Sequence, residues 1–161
     1  MIFFWLANSE YGFLSNWHMD TFQTISGTYT SGEQSIMHQK ALTFGDTAMA
    51  DKIMRETDLG EIKGMGKDVK PYDEDTWRVV RERAGIRASR ARFSQNAELL
   101  KQLLDTGHEV LAEASPYDSV WGIGMSADKE KSKDMRRWPK YGNLQGRILM
   151  HVRRELRQWQ A

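Results

Sequence analysis

The sequence has no cysteine in 161 residues. That single absence excludes disulfides, thiolate nucleophiles and thiolate-ligated metals. Neither charge is in excess: 23 basic residues face 22 acidic ones, for a net charge of +1. No broad nucleic-acid surface is advertised by such a balance. Long apolar runs are missing too. Met1-Ile-Phe-Phe-Trp-Leu-Ala7 lacks a basic lead and is too short for a signal peptide or a membrane span. The expectation is therefore a cytoplasmic protein with no membrane partner. Glycine-rich phosphate loops of the P-loop or dinucleotide type do not occur. His18, His38, His108 and His151 show no metal-ligand spacing, so neither a metal nor a cofactor is expected.

What is present suits one globular domain over residues 1–161, with 40% apolar and 28% charged residues. Met1 to Leu6 reads as a strand, Asn8 to Trp17 as a loop, and Phe22 to Thr30 as a hairpin turning near Gly27. Ser31, followed three residues later by Gln34, has the spacing of a capping box that opens a helix. Asp46 caps a second helix to about Arg55. Gly60 to Pro71, with three glycines, reads as a loop or broken turn. Asp73 caps a longer helix carrying Trp77, Val80, Ala84 and Ala91 at helical spacing.

Asn96 opens another helix, ended by Gly107, and Val110 to Ala112 is a short strand. Ala114 to Trp138 is the longest irregular segment. The last helix runs from about Leu144 to Trp159, with Ile148, Leu149, Val152, Leu156 and Trp159 inward and His151, Arg153, Arg154 and Arg157 on a solvated face. The fold class is α+β: mostly helical, with a small antiparallel sheet.

Two stretches carry chemistry. In the helix after Ser31, Glu33, Ile36, Met37, Lys40 and Phe44 share one face. A carboxylate and an ammonium on a largely apolar face lose water unless paired or used. The alternative is that Glu33 is a dipole-favoured acid and Lys40 snorkels outward. The second stretch is Glu113-Ala-Ser-Pro-Tyr-Asp-Ser-Val-Trp-Gly-Ile-Gly124. Trp121 there offers a face for a planar ring, Asp118 sits where a turn aims its carboxylate, and Gly122 and Gly124 allow close backbone approach to a ligand. The alternative for this loop is an apolar plug with Asp118 as its turn cap.

Taken together, these residues resemble the first signature of the NADAR, or YbiA-like, family: Ser31-x-Glu33-Gln34-x-x-Met37-x-x-Lys40-Ala41-x-x-Phe44-Gly45-Asp46. Leu14-Ser-Asn16, Arg92-Phe-Ser-Gln-Asn96, Leu104-x-Thr106-Gly107, the Glu113 to Gly124 block and Leu149-Met-x-Val-Arg153 continue the resemblance in order. There are two departures. The family's Trp-x-Gly-x-Asn reads Trp138-Pro-Lys-Tyr-Gly142-Asn143 here, and Arg92 stands where Lys is usual.

The resemblance implies an N-glycosidase. Some members hydrolyse the ribosyl–amine bond of early riboflavin-pathway intermediates, releasing ribose 5-phosphate, and others remove ADP-ribose from guanine in nucleic acid. It implies Glu33 and Asp118 as acid/base and electrostatic stabiliser, and Lys40 as an amine that captures the anomeric carbon. Trp77 and Trp121 would stack on the base, and Arg92, Lys63 and Lys67 would meet phosphate. Asn16, Gly122, Trp138 and Asn143 would complete the substrate contacts. The partner is then a ribosylamino-pyrimidine phosphate or an ADP-ribosylated guanine, with nucleic acid entering only as substrate. The rival class is a module that binds ADP-ribose or a nucleotide without cutting it.

Overall fold

A computed structural model describes residues 1–160. In chain order its elements are strands β1 (Ile2–Phe4), β2 (Met19–Thr24) and β3 (Gly27–Ser31), then helices α1 (Gly32–Thr43), α2 (Thr47–Arg55), α3 (Leu59–Lys67), α4 (Glu74–Ser94) and α5 (Ala97–Asp105). Strand β4 (Leu111–Glu113) and helix α6 (Leu144–Gln160) follow. The chain is a mostly helical α+β fold, as its patterning predicts. It is built as two compact units, one continuous over residues 19–96 and one made of residues 1–18 with the chain from Ala97 onward.

The continuous unit is organised around α1. Strands β2 and β3 pair antiparallel, placing Phe22 opposite Tyr29, whose rings lie 5.7 Å apart. β3 runs straight into α1, where the Ser31 hydroxyl accepts the Gln34 N–H at 3.0 Å. The reciprocal half of the capping box is displaced by one residue, because Gln34 Oε1 accepts the N–H of Thr30 at 2.9 Å. The amide end of Gln34 donates to the Ile53 carbonyl at 3.1 Å, so this buried side chain ties the start of α1 to the end of α2. Helices α2, α3 and α4 and strand β3 all pack on α1. The core shared by α1, α2, α3 and the chain just after α3 is Ala41, Ala50, Ile53, Ile62 and Val69, flanked by Met37 and Phe44. Full burial of an isoleucine such as Ile53 or Ile62 contributes about 1.5–3 kcal/mol.

The stretch from Gly60 to Pro71, expected as a loop, contains α3 instead. Asp58 caps it by accepting the Glu61 N–H at 2.9 Å, and Ile62 is fully buried. Gly66 explains the misleading glycine count: a Cβ there would stand 2.1 Å from Met37 Sδ. That glycine serves close helix approach rather than a turn.

In the other unit, β1 and β4 pair in parallel, with Ile2 opposite Leu111 and Phe4 opposite Glu113. This parallel pair is a feature beyond the expected hairpin. α6 packs on β4 through a face that includes Leu144, Ile148, Leu149, Val152 and Leu156. Trp159, expected inward, is 61% exposed. Arg153, expected on a solvated face, is buried, donating to Thr106 Oγ1 at 2.8 Å and to the Glu109 carbonyl at 2.8 Å. Arg157 donates to the Gly107 carbonyl at 2.8 Å. Both guanidiniums satisfy acceptors around the end of α5, which Gly107 closes at φ 63°.

Candidate active site

The continuous unit gathers three of the expected side chains. Glu33 and Lys40 stand seven residues apart on α1, and Trp77 enters from the first turns of α4, where Asp73 caps the helix by accepting the Thr76 N–H at 2.8 Å. Lys40 is half-buried, with its Nζ 4.7 Å from the centre of the Tyr72 ring and 5.9 Å from that of Trp77. Phe44 meets Tyr72 edge-on at 5.3 Å. The amine is thus framed by aromatic rings, where an ammonium gains about 0.5–1 kcal/mol per exposed ring face. Burial pulls its pKa below the ordinary lysine value, against the opposing pull of Glu74 first and Glu33 second.

Tyr72 and Glu74 were not among the residues singled out from the sequence. The Tyr72 hydroxyl donates to Glu74 Oε2, and Arg81 Nη1 donates to Glu74 Oε1 at 3.3 Å. Burial and the adjacent Glu74 push the Tyr72 hydroxyl up to about 12. A signal was available, since Tyr72 and Trp77 flank the Asp73 helix cap. Their convergence on Lys40 depends on α1 and α4 packing together, which periodicity does not report.

The residues expected at phosphate separate. Lys63 and Lys67 are exposed on α3. Arg92 is fully covered, and its Nη1 donates to Asp20 at 2.8 Å. Burial pulls its guanidinium pKa down while Asp20 opposes that pull. A wholly enclosed fork joined to Asp20 is a tie between α4 and the start of β2.

The remaining candidates belong to the other unit. Asp118 Oδ1 accepts the N–H groups of Val120 and Trp121, both at 2.8 Å, and the Asp118 carbonyl accepts the Gly124 N–H at 3.0 Å. This is the geometry of an Asx turn. A Cβ on Gly122 would lie 2.7 Å from the Glu113 carbonyl and 2.9 Å from the Asp118 carbonyl, so the glycine makes room for the loop's own backbone.

Asn143, at φ 56°, accepts the Glu113 N–H and donates to the Leu111 carbonyl, each at 2.9 Å. Its side chain brackets β4. Trp138 Nε1 donates to the Ser132 carbonyl at 2.8 Å, and its ring packs on the cluster of Ala112, Ala114 and Ile123. At Gly122, Asn143 and Trp138 the protein itself engages polar groups or fills the space, so each also supports the architecture of its loop. Asn16 is buried and Trp121 half-buried. The backbone of Trp121 is fixed by Asp118 on one side and by the Gln145 N–H, 3.1 Å from its carbonyl, on the other.

Comparison with known proteins matches the NADAR domain over residues 3–157. An N-glycosidase of Acanthamoeba polyphaga mimivirus is 38% identical over 130 residues, covering 81% of this chain and 76% of its own. The N-glycosidase YbiA of Escherichia coli is 30% identical over 77% of this chain and 76% of its own. A riboflavin biosynthesis protein of Vibrio vulnificus is 30% identical over 98% of this chain, which spans 39% of that longer protein. The solved NMR structure of Escherichia coli YbiA superposes with a TM-score of 0.77 at 26% identity, covering 99% of this chain and 86% of that one.

Proposed function

The chain belongs to the NADAR domain family, and from that premise we propose that it is an N-glycosidase cleaving the bond between a ribose 5-phosphate unit and an amino-bearing pyrimidine. The observation that carries the reading is the half-buried Lys40 amine, framed by Tyr72 and Trp77 on the helix that also bears Glu33. A sensor of nucleotides has no use for an amine whose burial favours the neutral, nucleophilic form.

In the proposed course, the nitrogen lone pair opens the ribosylamine by breaking the bond from the anomeric carbon to the ring oxygen. That oxygen takes a proton from Glu33, and an iminium is left at the anomeric carbon. The neutral Lys40 amine adds to that carbon, and its proton passes, by way of Glu33, to the departing nitrogen. Expulsion of the amino-pyrimidine leaves a Schiff base between Lys40 and the sugar. Water then adds, Nζ leaves, and the free aldehyde sugar phosphate departs. Glu33 accepts and returns protons, and Trp77 presents a flat neighbour for the ring.

Similarity to a riboflavin biosynthesis protein supports the free metabolite over an ADP-ribosylated guanine. Borohydride added during turnover of a ribosylamino-pyrimidine phosphate is expected to trap a sugar adduct on Lys40. Lys40→Arg, which keeps the charge but forms no imine, is expected to give no adduct and little sugar phosphate. A wild type that releases sugar without any adduct, together with a fully active Arg variant, refutes the nucleophile. Release only from ADP-ribosylated guanosine moves the substrate to the nucleic-acid adduct. Binding without release favours the sensor.

A further inference from the structure

We propose that Glu74 is a positioning residue for Lys40: the Tyr72 hydroxyl and the Arg81 guanidinium hold its carboxylate as the counter-charge that sets when the amine becomes free to react. The inference rests on the reading of Lys40 as the reacting amine. Its geometric basis is one aromatic ring with two attachments. Lys40 Nζ stands over the Tyr72 ring at 4.7 Å, and the hydroxyl of the same ring donates to Glu74 Oε2. The second carboxylate oxygen accepts from Arg81 Nη1 at 3.3 Å. Glu74 occupies the first turn of α4, where the helix dipole favours negative charge. Two donors and a helix end therefore fix one ionised carboxylate at the hydroxyl end of the ring that supports the ammonium.

The other groups around Lys40 leave this role to Glu74. α2 and α3 turn apolar residues toward α1, namely Ala50, Ile53 and Ile62. β3 presents Tyr29, which engages His38 rather than Lys40, at 2.7 Å. On α1 itself Glu33 is the second acid, and its pull on Lys40 is weaker than that of Glu74. Glu74 itself is held below the ordinary glutamate range, first by the Tyr72 hydroxyl and then, against some burial, by Arg81. An acid so held makes a steady counter-charge and a poor proton acceptor, which is why it positions the amine and leaves proton transfer to Glu33.

The test reads Lys40 directly and needs no substrate. The full chain is exposed to a small amine-acylating reagent from neutral to alkaline pH, and modification of Lys40 is followed by peptide mass mapping. In Glu74→Gln the midpoint is expected to move to lower pH, and by more than in Glu33→Gln. Tyr72→Phe keeps the ring but removes one of the two donors holding the carboxylate, so it is expected to move the midpoint the same way by less. A midpoint unmoved by Glu74→Gln overturns the proposal, as does a larger shift in Glu33→Gln. A wild type that forms no sugar adduct while Glu74→Gln still shifts the midpoint removes the nucleophile reading and leaves the hold of Glu74 on Lys40 standing.

Discussion

At Asp118, one carboxylate oxygen answers two backbone N–H groups, and an asparagine offers the same acceptor. Asp118→Asn should therefore keep the Asx turn and the loop that carries Trp121. Asp118→Ala leaves both N–H groups without that partner, at about 1–3 kcal/mol for buried donors and less where water reaches them. If the role is architectural, Asn retains most turnover while Ala loses both stability and turnover. A kinetic comparison with thermal melts decides it, and an Asn variant that folds normally but is inactive returns Asp118 to the chemistry. The candidate residue types of each unit were legible in the sequence: an acid and a lysine on one helix face in one, and a tryptophan in a glycine-flanked loop in the other. What each acid does was not legible, because a carboxylate committed to backbone N–H groups looks the same in sequence as one aimed at a ligand.

Helix caps were the most readable elements. Ser31, Asp46 and Asp73 each accept an N–H three residues on, which is a local relation. α3 escaped notice because its glycines carry opposite meanings that only packing distinguishes. Gly64 has nothing within 4 Å of where a Cβ would sit. Gly64→Ala should stabilise the protein by up to about 1 kcal/mol through helix propensity alone. In α6, a Cβ on Gly146 would lie 2.1 Å from the Leu111 carbonyl and 2.5 Å from both side-chain polar atoms of Asn143. Backbone cannot move aside as a side-chain tip can. Gly146→Ala should therefore lower the melting temperature, with a penalty of about 1–3 kcal/mol for overpacking. Parallel chemical denaturation of the two variants checks both signs, and two stabilised variants would contradict the tight approach of α6 to β4.

For the molecule as a whole, the mostly helical α+β class followed from counting periodic segments. The parallel pairing of β1 with β4 did not, since strands so far apart in sequence leave no short-range mark. Stability against acid also belongs to this scale. His38 is buried against Tyr29, and burial lowers its pKa from 6.5, with Asp51 opposing weakly. The unfolded chain therefore binds a proton that the folded chain refuses. This contribution is complete above about pH 6.5 and is lost as pH falls through the folded-state value. Melting temperature should fall across that mildly acidic window, and His38→Gln should flatten the slope. An equal slope in both proteins would assign the loss to other groups.

The discontinuous unit also dictates an order of events during synthesis. Residues 19–96 contain the main packing partners of their own strands and helices, so that unit can close as soon as it has left the ribosome. β1 leaves before that unit, yet its partner β4 is about a hundred residues behind. At ordinary elongation rates the delay is about five to twenty seconds. Throughout that interval Ile2, Phe3 and Phe4 form an unmatched apolar edge on a nascent chain, the kind of surface that chaperones hold until its partner arrives.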